Sequence, residues 1–130
     1  MILCSGCFDC LHAGHTRYLA AARALDPAAL LVVAVAPDAY IEAVKGRRPY
    51  WSQVGRMQTV ASLSGVDGVI AQKEPSVATL IRQLGPRWFV KGPDWRETLP
   101  SDVIAACESV GCEMVFTDTE DRHTSEAMPA

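Results

Sequence analysis

The sequence predicts an α/β fold, a Rossmann-like, doubly wound sheet of about five parallel strands with helices on both faces. Short apolar runs alternate with amphipathic segments along the whole chain, which is the pattern of consecutive βα units. The run "AALLVVAVA" at 28–36 is apolar throughout, as expected of a parallel strand that is covered on both faces. The 130 residues contain no internal repeat, low-complexity tract or linker, so we expect residues 1–130 to form a single domain.

The first half of the chain predicts two strands and three helices. Apolar residues recur at helical spacing after the first strand, and residues suited to an N-cap precede the next two helices, Asp38 in one and Ser52 in the other. The predicted elements are the strand "ILCSGC" at 2–7, the helix "HTRYLAAARAL" at 15–25, the strand at 28–36, a short helix at 38–44 and, after the basic loop "KGRRPYW" at 45–51, the helix "SQVGRMQTVASL" at 52–63.

The second half repeats this rhythm. Pro75 is expected at the start of one helix and Gly85 just after its end, and Ser101 is expected to cap the next helix. The predicted elements are the strand "VDGVIAQ" at 66–72, the helix "PSVATLIRQLG" at 75–85, the strand "RWFVKG" at 87–92, the helix "SDVIAACESVG" at 101–111 and the strand "CEMVFT" at 112–117.

Composition excludes several classes of partner. The formal net charge is −3, so the chain lacks the basic surface that nucleic-acid binding requires. The longest apolar stretch, at 28–37, is too short to span a bilayer, and the start of the chain resembles no signal peptide. We therefore expect a soluble, cytoplasmic protein with no nucleic-acid or membrane partner.

The cysteines permit two interpretations. Cys4, Cys7 and Cys10 have a C-x-x-C-x-x-C spacing that also occurs in metal clusters. No fourth ligand is evident, and we favour small residues packed through a strand and a turn, with Cys107 and Cys112 in the core.

Polar clusters follow four of the predicted strands. In doubly wound sheets, ligands bind beyond the carboxyl ends of the strands, near the switch in strand order. The clusters that fall there are His12 and His15, residues 38–47, residues 91–95 and residues 118–125.

The stretch "GCFDCLHAGH" at 6–15 combines a bend with two histidines. Gly14 and His15 fall where this bend meets a helix N-terminus, which favours phosphate binding, and Gly14 lets the backbone approach a ligand closely. His12 and His15 are suited to donate hydrogen bonds to phosphate oxygens, or else they cap or pack the helix. Asp9 is expected to support the histidine turn.

The string G-x-F-D-x-x-H-x-G-H resembles the signature of the cytidylyltransferase-like nucleotidyltransferases, and no G-x-G-x-x-G follows the first strand. "VKGPDW" at 90–95 is similar to V-K-G-G-D-Y of heptose-phosphate adenylyltransferases and to G-D-D-W of glycerol-3-phosphate cytidylyltransferases. "KGRRP" at 45–49 looks like their basic phosphate loop, and Arg56 matches the arginine of an acidic–Arg pair whose acidic member is replaced by Gly55.

The resemblance is weakest near the C-terminus. Relatives carry R-T-x-G-I-S-T-[ST], where this chain has "DTEDRHTSEAM" at 118–128. Thr124 and Ser125 fit the hydroxyl pair, whereas Asp118 and Asp121 replace the Arg and the Gly. The choice of nucleotide base is therefore left open.

The resemblance implies transfer of a nucleoside monophosphate from CTP or ATP to a small phosphorylated alcohol or sugar, of the glycerol 3-phosphate or heptose 1-phosphate type, with release of pyrophosphate. Mg²⁺ is expected to accompany the triphosphate, with no metal site built from protein side chains alone. Relatives are often homodimers, and Tyr50 and Trp51 are expected either in such an interface or in the core. The implied catalytic residues are His12, His15 and Lys45; the implied nucleotide-binding residues are Cys7, Phe8, Gly14, Lys91, Gly92, Asp94, His123, Thr124 and Ser125; and Arg47 and Arg56 are assigned to substrate phosphate.

Two alternatives come from other classes of protein. The altered C-terminal stretch is compatible with a nucleotide-binding module that lacks catalysis. His12, His15 and His123 would form a three-histidine zinc centre if the last loop folded over the first.

Overall fold

A computed structural model describes residues 1–118, and these residues form a five-stranded parallel sheet in the order β3-β2-β1-β4-β5 with helices on both faces. This confirms the predicted fold class. The elements in chain order are β1 (Ile2–Gly6), α1 (Ala13–Arg23), β2 (Leu31–Val35), α2 (Asp38–Lys45), α3 (Gln53–Ala61), β3 (Gly68–Ala71), α4 (Ala78–Leu84), β4 (Trp88–Lys91), a 3₁₀ turn (Pro93–Trp95), α5 (Ser101–Val110) and β5 (Glu113–Phe116).

The core is divided by the sheet into two layers, because successive side chains of a strand point to opposite faces. Ile2 and Cys4 pack with α1 on one face, whereas Leu3 packs with α4 and α5 on the other. All five residues of β2 are buried, as its continuously apolar sequence predicts.

The strand order reverses at β1, which lies between β2 and β4. The ladder between β1 and β2 runs from the Ile2–Leu31 pair to the Gly6–Val35 pair. The ladder between β1 and β4 ends earlier, at the Cys4–Val90 pair. A gap in backbone pairing therefore opens between β1 and β4 at the carboxyl edge, where ligands bind in folds of this class.

Two predicted N-caps are wrong, and two predicted helix starts are wrong by two or three residues, whereas two other predicted helix boundaries are confirmed. The wrong starts are those of α1, which begins at Ala13 rather than His15, and of α4, which begins at Ala78 rather than Pro75. Pro37 and Pro100 are the N-caps of α2 and α5, so Asp38 and Ser101 are the first helical residues rather than caps. Both prolines have the extended backbone of an N-cap residue. Proline also has no amide hydrogen, so none is left without a partner at that position.

The confirmed ends are a serine cap and a glycine. Ser52 caps α3 by accepting a hydrogen bond from the Gly55 amide at 3.2 Å. Gly85 ends α4 with φ +55°, a left-handed conformation that glycine adopts without a steric penalty.

All five cysteines are free thiols, and Cys4, Cys107 and Cys112 are buried. Within residues 1–118, no three His, Cys, Asp or Glu side chains are grouped so that they could hold a metal ion. No helix in that same part of the chain has the length and apolarity to cross a membrane. The predicted site residues His123, Thr124 and Ser125 lie outside the described residues.

Candidate active site

The turn after β1 depends on Gly6 and Phe8. Phe8 has φ +52°, a left-handed conformation that is uncommon for an aromatic residue, and its side chain is 4% exposed. A Cβ atom on Gly6 would lie 2.9 Å from Cε2 of Phe8. Glycine at position 6 therefore lets the ring pack beneath the bend that leads into α1.

His12 and His15 form a capping box at the start of α1. Nδ1 of His12 accepts a hydrogen bond from the Gly14 amide at 3.0 Å, and Nδ1 of His15 accepts one from the His12 amide at 3.2 Å. The ring centroids are 4.1 Å apart. Because Nδ1 accepts in both rings, the proton of each neutral imidazole resides on Nε2, which is then a donor.

His15 is held in the neutral form. Burial, together with the charges of His12 and Lys45, lowers the pKa of His15 to about 4. At neutral pH its ring is therefore an uncharged hydrogen-bond donor. Lys45, the exposed last residue of α2, supplies positive charge beside it.

Asp9 joins the histidine turn to the basic loop at 45–51. Its carboxylate is 5% exposed and accepts hydrogen bonds from Nη1 of Arg47 at 2.8 Å and from the amides of Tyr50 and Trp51 at 3.0 and 3.1 Å. Burial raises the pKa of Asp9, but these hydrogen bonds outweigh it and hold the pKa below its ordinary value. Asp9 thus supports the loop, a role that extends beyond the turn for which the sequence predicted it.

Arg47 has one intramolecular ion pair and stays partly open to solvent. Its side chain is 33% exposed, and its guanidinium lies 4.1 Å from the centre of the Tyr50 ring. The structure therefore places a positioned cation on the loop that the sequence assigns to substrate phosphate.

Arg56 is buried, with 1% of its surface exposed. Nε donates to the carbonyl of Trp51 at 3.0 Å, and Nη1 donates to the carbonyls of Cys7 and Ala36 at 2.8 and 2.7 Å. Nη2 pairs with Oδ1 of Asp38 at 2.6 Å.

These contacts engage every nitrogen of the Arg56 guanidinium, so a substrate phosphate would have to displace one of them. The geometry gives Arg56 a structural role between the ends of β1 and β2 and the start of α3, and its contact with substrate phosphate stays a prediction. Asp38 supplies the carboxylate partner that Gly55 cannot.

Lys91 is buried at the end of β4. Nζ donates to the carbonyl of Ser5 at 3.0 Å and contacts its hydroxyl at 3.3 Å. It also lies 4.5 Å from the centre of the Trp95 ring. Burial lowers the pKa of Lys91 to about 8.

Gly92 and Asp94 follow Lys91. A Cβ atom on Gly92 would lie 3.0 Å from Oδ1 of Asp94, so glycine lets the carboxylate fold back over the chain. Asp94 is exposed at the carboxyl edge of the sheet. It is therefore accessible to a ligand there.

The thiol of Cys7 lies within electrostatic range of both lysines of the predicted site, Lys45 and Lys91. Burial raises the pKa of the Cys7 thiol, while Lys45 and Lys91 both act electrostatically to lower it. The structure thus brings the turn after β1 together with the ends of α2 and β4.

Sequence reasoning missed Tyr18. Its buried hydroxyl donates to the carbonyl of Val90 and accepts a hydrogen bond from the Ser5 amide at 3.3 Å. In the sequence Tyr18 falls at an ordinary apolar position of α1, and no local pattern signals a role at the edge of the sheet.

A strand-order switch flanked by two imidazoles, two lysines and an arginine is typical of a doubly wound α/β domain that binds a ligand at the carboxyl edge of its sheet. The chain belongs to the cytidylyltransferase-like family of nucleotidyltransferases, whose model matches residues 3–125. This confirms the resemblance carried by the histidine motif.

Curated relatives extend well beyond this chain. It is 40% identical to the bifunctional protein HldE of Chromohalobacter salexigens, over 98% of this chain and 26% of that protein. It is 38% identical to the HldE protein of Coxiella burnetii, over 85% of this chain and 22% of that protein. The chain thus spans about a quarter of the length of the curated relatives it matches.

Solved structures show the same fold. A lipopolysaccharide core biosynthesis protein from Thermoplasma volcanium superposes with a TM-score of 0.76 at 24% identity, covering 92% of this chain and 97% of that one. This likeness concerns the fold alone.

Proposed function

We propose that this domain transfers a nucleoside monophosphate from CTP or ATP to a small phosphorylated alcohol or sugar, of the glycerol 3-phosphate or heptose 1-phosphate type, and releases pyrophosphate. The observation that carries the proposal is the pair of imidazoles at the start of α1, in which Nδ1 of each ring accepts a backbone amide N–H and Nε2 is the donor. Membership of the cytidylyltransferase-like family supports the general reaction.

The reaction needs alignment and charge stabilisation rather than a base. An ionised phosphate oxygen of the acceptor forms a bond to the α-phosphorus, and the bond from that phosphorus to the bridging oxygen breaks. Pyrophosphate leaves with the electron pair. The protein must hold two anions in line and stabilise the charge that grows on the α-phosphate oxygens.

His12 and His15 suit that stabilisation. Their Nδ1 atoms are fixed by backbone amides, so the orientation of both rings is set before substrate binds. The backbone at the start of α1 therefore determines where the Nε2 protons of both rings point.

Lys45 and Arg47 offset the charge of the two phosphate groups. Lys45 is at the end of α2, and Arg47 is held two residues later by Asp9. Because Asp9 fixes this loop, we expect both cations to face the bound phosphates. Nucleotide contacts are assigned to Cys7, Phe8, Gly14, Gly92 and Asp94, and to His123, Thr124 and Ser125 beyond the described residues.

Mg²⁺ is proposed to bind with the triphosphate and to screen its charge. Asp9 and Asp38 already pair with Arg47 and Arg56, whereas Asp94 is exposed at the same edge of the sheet. Phosphate oxygens and water are therefore expected to supply most of the Mg²⁺ ligands.

A homodimer is proposed through the exposed aromatic residues of the basic loop. Trp51 is 64% exposed and Tyr50 is 49% exposed, so the expectation that they belong to the core is wrong. Sedimentation equilibrium of the wild type and of Trp51→Ser tests the dimer, which the substitution should weaken.

Pyrophosphate release tests the function. Purified protein is incubated with Mg²⁺, CTP or ATP, and glycerol 3-phosphate or a heptose 1-phosphate, with His15→Gln as the matched control. Release that depends on one nucleotide and one acceptor, and that His15→Gln abolishes, supports the proposal. Tight binding of a nucleotide with no release for any pair would instead identify a binding module.

A further inference from the structure

The gap between β1 and β4 is filled by side chains instead of backbone pairs. Beyond the Cys4–Val90 pair, the Ser5 amide donates to the hydroxyl of Tyr18, which donates in turn to the carbonyl of Val90. Nζ of Lys91 donates to the carbonyl of Ser5. At the switch in strand order, the gap between β1 and β4 is therefore occupied by the phenol of Tyr18 and the ammonium group of Lys91.

Lys91 is a buried cation that has no ion-pair partner among residues 1–118. Lys91 is 8% exposed. The titratable groups that face it are Cys4 and Cys7 from β1 and the following turn, Tyr18 from α1 and Asp94 from the 3₁₀ turn. The thiols and the phenol are neutral at pH 7, which leaves Asp94 as the one negative charge among them.

Burying an ammonium group is unfavourable unless an opposite charge offsets the loss of hydration. Here the ammonium is stabilised by a carbonyl, a hydroxyl and the face of Trp95. These dipoles offset only part of that loss.

We propose that the ammonium group of Lys91 is a built-in counter-charge for the bound nucleoside triphosphate, acting through its field from beneath the site rather than as a direct ligand. This inference rests on the proposed function, because it requires a polyanion at the carboxyl edge. Its burial beneath Trp95 and its two contacts with Ser5 argue against direct ligation.

The consequence is that nucleotide binding takes up a proton. With its pKa lowered to about 8, Lys91 is only partly charged in the free protein at pH 8. A polyanion nearby favours the charged form and raises the pKa. Binding at pH 8 should therefore draw up to about half a proton from the buffer.

Isothermal titration calorimetry of Mg²⁺ with CTP or ATP, at pH 8 in two buffers of different ionisation enthalpy, measures this uptake. The wild type should take up a fraction of a proton. Lys91→Met, which keeps an unbranched side chain shorter by one atom, should bind on the order of tenfold more weakly and without that uptake. Lys73→Met, at an exposed lysine after β3, is the matched control and should behave as the wild type.

Lys91→Arg provides a second route if Lys91→Met does not fold. Arginine stays charged at pH 8, so it should bind nucleotide with no proton uptake. Binding by the wild type without uptake, or equal uptake by the wild type and either Lys91 variant, would overturn the inference.

The two proposals fail in different ways. Nucleotide binding with proton uptake but no pyrophosphate release would refute the transferase and leave the counter-charge supported. Release of pyrophosphate by a wild type that takes up no proton would do the reverse. Failure of the wild type to bind either nucleotide would refute both.

Discussion

Nδ1 of His15 accepts the backbone N–H of His12 at 3.2 Å, three residues back along the chain, while the ring of His12 accepts from Gly14. In the usual capping box, these two positions hold Ser or Thr and Glu or Gln. Here imidazoles cap the helix with one nitrogen and keep the other as a donor. An alanine substitution therefore removes a helix cap and a candidate catalytic group together.

His15→Gln separates these two roles. Glutamine is a normal capping-box residue at this position, so the variant should unfold close to the wild-type temperature. His15→Ala should lose about 1 kcal/mol of stability. Both should lower kcat by on the order of 10²–10³, because alanine has no donor and the amide N–H groups of glutamine do not occupy the position of the imidazole Nε2–H. Near-normal turnover by His15→Gln would show that the imidazole is not required.

Acid should destabilise the protein through His15. The folded-state pKa is about 4 and the ordinary value is 6.5, so the unfolded chain binds the proton first. The stability that depends on the neutral His15 ring is fully present above pH 6.5 and is lost as the pH falls towards 4. The loss in the free energy of unfolding is at most about 3 kcal/mol. Urea denaturation of the wild type and of His15→Gln between pH 4 and 7 measures it by difference. If stability fell equally with pH in the two proteins, the effect could not be assigned to His15.

Lys45→Ala should mainly weaken substrate binding. Lys45 is exposed, so water and salt screen its charge, and we expect KM to rise about two- to fivefold with little change in kcat. The effect should shrink as salt is added. Steady-state kinetics at low and high ionic strength, with Lys73→Ala as the control, would reveal a larger loss in kcat if Lys45 acts on the transition state instead.

Arg56→Met should destabilise the fold. The substitution leaves the carbonyls of Cys7, Ala36 and Trp51 without this donor, and leaving a buried acceptor unsatisfied typically costs about 1–3 kcal/mol. Arg56→Lys keeps the charge but not the planar set of donors. Its free energy of unfolding should therefore lie between those of the wild type and of Arg56→Met. Chemical denaturation measures both variants. Wild-type stability combined with a raised KM would support the phosphate contact instead.

The order of strands and helices follows from the sequence because each apolar run is short and each is bounded by Gly, Pro or a capping residue. The ends of helices are less predictable, as Asp38 illustrates. Its side chain suits an N-cap, but Pro37 takes that position and Asp38 pairs with Arg56. A cap and an ion-pair partner have the same chemistry, and only the packed structure distinguishes them.

The histidine motif locates the site because its residues are close in sequence. Asp9 and the loop amides it binds are about forty residues apart, and no periodicity links them. Lys91 and Ser5 are likewise distant in the chain and adjacent in the sheet. Resemblance to a family loop and pair placed Arg47 and Arg56 near phosphate, and its position at a strand end placed Lys91 there. The structure shows Arg47 ion-paired on its loop, Arg56 buried among backbone carbonyls and Lys91 buried at the end of β4.

The contact between Gly6 and Phe8 has a consequence for how this domain can diverge. A Cβ atom at position 6 would lie 2.9 Å from the Phe8 ring, and Phe8 combines a left-handed φ of +52° with a ring that is buried. Each position, varied alone in a mutational library, should tolerate almost nothing. Substitutions that enlarge residue 6 and shrink residue 8 in the same molecule should restore function, so the pair would mutate as a unit with strong epistasis.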